Sequence, residues 1–256
     1  MGGGTDAAGA GGRRRRRLKL TLAALLLLLT LLVAPLSGPA APPTWQTPVT
    51  LASVARLPSI HADAAGTMTA FARTGPFPNW QHATWKHVPG GQWPSTPTPL
   101  GPAGTGEAVY AGNAAGAAVF VWLNGSLLQA SYRPAAGAWG PTETVADTGG
   151  PYSDIELALD DAGNVAVTWY RNTSTSTALV EVALRSVAAS QWLPVDTMPP
   201  GPREVELQPD VAFEVTGDVV LVWTSLSAIP SFARLLTSSR SLAGTWSAPV
   251  ELSPSG

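Results

Sequence analysis

Gly244-Thr-Trp-Ser-Ala-Pro-Val-Glu-Leu252 decides how this chain is read. A small residue, a tryptophan, a nearby proline and then alternating apolar and polar residues follow one another. The same order occurs at Trp45-Gln-Thr-Pro-Val-Thr-Leu51, Trp93-Pro-Ser-Thr-Pro97, Trp139-Gly-Pro-Thr-Glu-Thr-Val145 and Trp192-Leu-Pro-Val-Asp196. The five tryptophans stand 48, 46, 53 and 54 residues apart. A period of about 50 residues is the signature of a repeat architecture and takes precedence over any local motif.

Three further marks lie in each period. The first is a turn glycine, Gly66, Gly116, Gly163 or Gly217. An apolar run follows it directly and ends in Phe71, Trp122, Trp169 or Trp223. A turn glycine between two alternating runs predicts a β-hairpin. A third run closes on a basic residue, Lys86, Arg133, Arg185 or Arg240, and the tryptophan–proline segment supplies a fourth. Four short strands per unit of about 50 residues is the size of a propeller blade. The expected fold is all-β, with β-propeller-like repeats of about four units of four short antiparallel strands. Five tryptophan–proline segments against four sets of the other marks leave two counts open. One is a four-bladed ring with a strand left over. The other, favoured because four blades is the bottom of the range, is a piece of a larger propeller.

Bulk composition narrows the function. The 256 residues carry a net charge of -2, and six of the fifteen Lys and Arg lie in Arg13–Lys19. No cationic footprint for nucleic acid remains. With no cysteine, disulfides, thiolate metal sites and a thiol nucleophile are excluded. The 26 Gly and 24 Pro are spread between apolar runs and read as turns.

Residues 1–40 read as a leader. Arg13–Lys19 is a positive segment, the apolar run Leu20–Val33 follows, and Gly38 and Ala40 suit a cleavage site. The run is short for a span of about 20 residues, so a cleaved export signal is expected, with an N-terminal anchor through residues 13–36 as the alternative. Either way residues 41–256 form the repeat domain, outside the cytoplasm.

The segment Ala243–Leu252 resembles the region around the Asp-box of sialidase-like propellers. The box aspartate is missing from every unit, and the glycine-to-tryptophan spacing is one short. Leu159-Asp-Asp-Ala-Gly-Asn-Val-Ala-Val-Thr-Trp169 is similar to repeats of secreted bacterial proteins. The resemblance implies fold and export and transfers no activity. In that family an arginine of an Arg-Ile-Pro motif holds a carboxylate, and Arg56-Leu-Pro58 looks like it; Pro58 also fits the repeat, since it aligns with Pro209.

No spacing singles out a catalytic set. Asp154, Glu156, Asp160, Asp161, Glu204 and Glu206 could supply paired carboxylates. Asp160 and Asp161 precede a turn glycine and read as turn residues, and Glu204 and Glu206 read as the solvent face of a strand. His61, His82 and His87 read as solvated rather than as metal ligands, and no cofactor is expected. The recurrent Trp45, Trp93, Trp139, Trp192, Trp246, Trp122, Trp169 and Trp223 read as packing. Trp80 and Trp85 belong to neither series. With Phe77, His82 and Lys86 they form an aromatic segment found only in the first unit. Trp80, His82, Trp85 and Lys86 are therefore the expected ligand-binding residues, for a glycan or a cell-surface protein. The expected function is an exported, non-catalytic binding domain. The alternatives are a sialidase-like glycoside hydrolase or a structural module of a larger envelope protein.

Overall fold

The computed structural model describes residues 47–53, 55–76, 78–147, 152–174, 177–199, 204–228 and 231–253. Trp45, Phe77, Arg203 and the leader lie outside them. The described residues form four antiparallel sheets, with no helix among them.

The first sheet contains β1 (Ala55–Ala62), β2 (Met68–Thr74), β3 (Gln81–His87) and β4 (Thr98–Leu100). The second contains β5 (Ala108–Gly112), β6 (Ala118–Asn124), β7 (Leu127–Arg133) and β8 (Glu143–Asp147). The third contains β9 (Tyr152–Leu159), β10 (Val165–Ser174) and β11 (Thr177–Ser186), with an outer edge split into β12 (Gln191–Trp192) and β13 (Asp196–Thr197). The fourth contains β14 (Glu204–Phe213), β15 (Val219–Ala228), β16 (Ser231–Arg240) and β17 (Val250–Glu251). Within each sheet the strands pair in chain order, as a propeller blade requires.

The turn between the first two strands is built alike in every sheet. Gly66, Gly116, Gly163 and Gly217 all have left-handed φ, between 78° and 94°. In the first three, an Asp or Asn three residues earlier closes the loop. Asp63 Oδ1 accepts from Thr67 N at 2.8 Å, Asn113 Oδ1 from Ala117 N at 2.9 Å, and Asp160 Oδ1 from Asn164 N at 2.7 Å. Asp160 thus spends both oxygens on the turn, since Oδ2 accepts from Asn164 Nδ2 at 2.7 Å.

Counting from the turn glycine also assigns the two faces of each second strand, because side chains alternate. Positions +2, +4 and +6 form one face: Ala118, Phe120 and Trp122 in β6; Val165, Val167 and Trp169 in β10; Val219, Leu221 and Trp223 in β15. This tryptophan face always packs on the opposite face of the preceding sheet. Phe71 of the first sheet meets Phe120 and Trp122. Val119, Val121 and Leu128 of the second meet Val167 and Trp169. Val180, Val182 and Leu184 of the third meet Leu221 and Trp223. The three tryptophans are wholly buried. A buried indole N–H favours an acceptor, and two of the three have one among the described residues. Trp169 Nε1 donates to Glu181 Oε2 at 2.8 Å and Trp223 Nε1 to Glu206 Oε2 at 2.5 Å. Arg171 on Glu181 and the Ser225 hydroxyl on Glu206 complete each buried carboxylate.

Several sequence expectations need correction. Glu206 is fully buried rather than on a solvent face, because the Trp223 indole requires it. In the first sheet the sixth residue after the turn glycine is Ala72, and Phe71 points to the other face. The missing bulk comes from Trp85 on β3, which pairs with Ala70 and is 2% exposed in a cluster with Ala72 and Ala83. Likewise Arg133, Arg185 and Arg240 pair with the residue at glycine +2, and in the first sheet that partner of Met68 is His87, not Lys86. Trp93, Trp139, Trp192 and Trp246, read as packing, are half-buried at the outer edge and pack against the buried clusters. Arg133 and Arg240 lie over Trp139 and Trp246, and His87 packs on Trp93.

Outer-edge ion pairs stitch neighbouring sheets. Arg185 reaches Glu143 of the second sheet at 3.1 Å, and Arg240 reaches Asp196 of the third.

The turn glycines differ in surroundings, which gives a test. A Cβ on Gly163 would lie 2.6 Å from the Tyr132 hydroxyl and 2.9 Å from Val187, whereas one on Gly217 meets nothing within 4 Å. Gly217→Ala is expected to cost about 1 kcal/mol of left-handed backbone strain, and Gly163→Ala about 2 kcal/mol or more once the clash is added. Urea unfolding of both variants checks the order.

Candidate functional site

The first strands of successive sheets neighbour one another, β1 beside β5, β5 beside β9 and β9 beside β14. Nine residues before each turn glycine stand Leu57, Glu107, Asp154 and Gln208. Leu57, Asp154 and Gln208 have φ of 52°, 49° and 51°. Each coincides with a slip in pairing to the second strand, so β1, β9 and β14 share a bulge. Non-glycine residues in this region are held only where the surroundings over-determine them, and bulges re-aim side chains.

The bulges bring carboxyl groups together at one end of these strands. Glu107 Oε1 accepts from Ile155 N of the next sheet at 3.3 Å. Burial raises the proton affinity of Glu107, with Asp154 adding to the effect and the Ile155 N–H opposing it. Burial likewise holds the Glu156 carboxyl above the usual range, reinforced by the charges of Asp210, Asp154 and Glu107. A cavity of about 210 Å³ opens beside them, lined by Leu57, Ser59, Phe71, Tyr110, Glu156 and Leu157 among others.

At the same strand end the first sheet carries the opposite charge. Without the bulge Arg56 would face Thr74; the slip at Leu57 sets it opposite Arg73, which in turn pairs with His82. The Arg73 guanidinium lies 3.5 Å from the centre of the Trp80 ring and that of Arg56 lies 6.0 Å away. Such stacking orients a guanidinium while leaving its edge for an anion. The pKa of Arg73 is lowered by burial and then by the charge of Arg56. No carboxylate among the described residues pairs with either arginine. Trp80 is fixed through its carbonyl, which accepts from Gly104 N at 2.7 Å.

The four expected ligand residues are not gathered on one surface. Trp80 is half-buried at the arginine pair and Lys86 is exposed. Trp85 is on the face of β3 opposite to His82 and Lys86. His82 is 1% exposed rather than solvated, packed between Phe71 and Phe120 at 5.8 and 5.2 Å. Its ring nitrogens lack a partner of good geometry. Burial and the Arg73 charge push its pKa down to about 4, the Gly106 backbone softening the effect. Asp160 belongs to its turn, and Arg171 to Glu181. Among the described residues no group of three His, Cys, Asp or Glu is placed to hold a metal ion. The sequence reading did not single out Glu107, Asp210 or the Arg56–Arg73 pairing. Distance from the turn glycine marks the first two: Glu107 shares the place of Asp154, nine residues before it, and Asp210 that of Glu156, seven before it.

The sequence matches no protein-family model and no curated protein. Among solved structures the fold is similar to a protein of unknown function from Dyadobacter fermentans. That likeness has 12% identity and a TM-score of 0.55, and covers 77% of this chain and 69% of that one. The fold is also similar to an ulvan lyase of polysaccharide lyase family PL25, solved bound to -[GlcA(1-4)Rha3S]-. Here identity is 13% and the TM-score 0.50, over 77% of this chain and 58% of that one. Identities this low speak for the fold alone.

His82 makes stability depend on pH. Its folded pKa, about 4, lies below the ordinary 6.5, so the unfolded chain takes the proton first. Stability contributed by neutral His82 is present above about pH 6.5 and lost as pH falls toward 4, on the order of 3 kcal/mol in all. His82→Leu is expected to flatten this part of the profile, read from urea midpoints of both proteins at pH 7.5 and 4.5.

Proposed function

We propose that this chain is an exported, propeller-like domain that binds an acidic glycan, without chemistry of its own, at the corner formed by Arg56, Arg73 and Trp80. One observation carries the reading: two guanidinium groups converge on one indole ring, and no described carboxylate pairs with either. Guanidinium groups recognise carboxylate and sulfate through paired hydrogen bonds, and an aromatic ring beside them suits a sugar face. The ulvan lyase of similar fold was solved with a chain bearing both anionic groups, which is in keeping with this reading. Export rests on the sequence of residues 13–40.

Calorimetry against polygalacturonate and chondroitin sulfate, with a neutral galactan as control, tests the reading. Binding is expected for the acidic chains alone, weakening with salt. Arg73→Ala is expected to lose roughly 10- to 100-fold in affinity, as for a charge-assisted bond of about 1.5–3 kcal/mol. Equal affinity for the neutral galactan, or an unaffected Arg73→Ala variant, sinks the proposal.

The raised carboxyl groups favour a second reading, a glycoside hydrolase. Glu156, its proton affinity raised by burial and then by the charges of Asp210, Asp154 and Glu107, is placed as a general acid near other carboxylates would be. Reducing-sugar release from an acidic polysaccharide, abolished in Glu156→Gln while binding survives, would establish it. Equal release by that variant, or none by either protein, would remove it.

A further inference from the structure

The first sheet is short of bulk where the other three are filled. Four and six residues after the turn glycine, the later sheets carry Phe120 and Trp122, Val167 and Trp169, and Leu221 and Trp223. The first sheet has Ala70 and Ala72 at those positions. Trp85, which pairs with Ala70 from β3, restores part of the volume. Beside these small residues remains a cavity of about 500 Å³, lined by Leu51, Ala52, Ile60, Ala70, Ala72 and Trp85 among others.

The lining describes its occupant. No residue of it is charged, and Thr50, Ser59 and Trp85 are the only polar ones. Trp85 is 2% exposed, and its indole N–H meets no acceptor among the described residues. Trp169 and Trp223, by contrast, give theirs to carboxylates. A buried donor left without an acceptor is costly, so a molecule that brings one is favoured. Leu51 and Ala52 pack on Ala72, Ala83 and Trp85, so the space is a walled pocket rather than a bare sheet face. Ile60 is 63% exposed and keeps one side of the pocket open to solvent.

We propose that this pocket binds an uncharged, mostly apolar small molecule whose one oxygen acceptor takes the Trp85 indole N–H. Pockets of about 300–1,000 Å³ with an apolar lining and few polar groups are where such molecules bind. An ionised ligand would lose its hydration here with nothing in the lining to replace it. The site is separate from the arginine corner, because Arg73 alternates with Ala72 along β2 and faces the other way.

Fluorine NMR on the full chain tests this with para-fluoroacetophenone, para-fluorotoluene and para-fluorobenzoate at about 1 mM, the affinity scale of fragments this small. The ketone is expected to bind roughly 2- to 10-fold tighter than fluorotoluene, the worth of one hydrogen bond. The benzoate is expected not to bind. Trp85→Phe keeps a ring and removes the donor; it is expected to erase the advantage of the ketone while fluorotoluene still binds. Ala72→Leu fills the pocket and is expected to exclude both neutral probes. Ile60→Asp, at an exposed position where folding is spared, is expected to weaken both with an unchanged far-UV spectrum. Absence of binding by either neutral probe overturns the proposal. So does binding that Ile60→Asp leaves unchanged, or a ketone advantage that survives in Trp85→Phe.

Discussion

The structure depends on one contact made three times: a wholly buried tryptophan set against the valines, leucines and aromatics of the sheet before it. Each sheet is a few short strands and cannot bury its own faces. Stability therefore comes from stacking, as in other repeat architectures. The buried carboxylates follow from the same contact. An indole N–H sealed between sheets needs an acceptor, and Glu181 and Glu206 are retained in the interior because Trp169 and Trp223 stand over them.

Charge is used sparingly, and among the first strands it is placed by irregular backbone. The left-handed residues Leu57, Asp154 and Gln208 interrupt strands that are otherwise regular. They aim carboxyl groups of β9 and β14 toward Glu107 and rotate Arg56 into line with Arg73. Acidic and basic groups thus end on one side of the first strands, the acids around Glu156 and the guanidinium groups around Trp80.

The all-β fold, the four units and the turn glycines were legible because the left-handed turn and the alternating run leave local marks. In the first unit Phe71 stands one residue early, and the basic residue at the strand end is one out of frame: the sheet counts from Gly66 and places Ala72 and His87 at those positions, not Phe71 and Lys86. The exchange of bulk from β2 to Trp85 is visible only once Ala70 and Trp85 are known to pair. The Arg56–Arg73 corner was hidden for a different reason. The two lie on a hairpin whose simple register predicts Thr74 opposite Arg56, and only the bulge corrects it. Glu206 was misread because alternation around Val205 looks the same whether the charged face meets water or an indole.

The outer-edge ion pairs are unevenly shared. Arg185 and Arg240 tie the third and fourth sheets back to their neighbours, but at the matching distance from Trp93 the first sheet has Pro97 in place of an acid. Among the described residues Arg133 has no such ion pair; it lies over Trp139 and donates to the Gly116 carbonyl at 3.4 Å. The first sheet thus has no ion pair to the second among these residues; its polar ties include His61 Nε2 to the Asn113 carbonyl at 2.9 Å and Ala64 N to the Ala114 carbonyl at 2.8 Å, and its second strand carries no tryptophan. In a stack where each member feels only its neighbours, cooperativity is set by the weakest junction. Amide protons of β2 and β3 should therefore exchange by a partial opening that leaves β10 and β15 protected, so that the protein unfolds from one end.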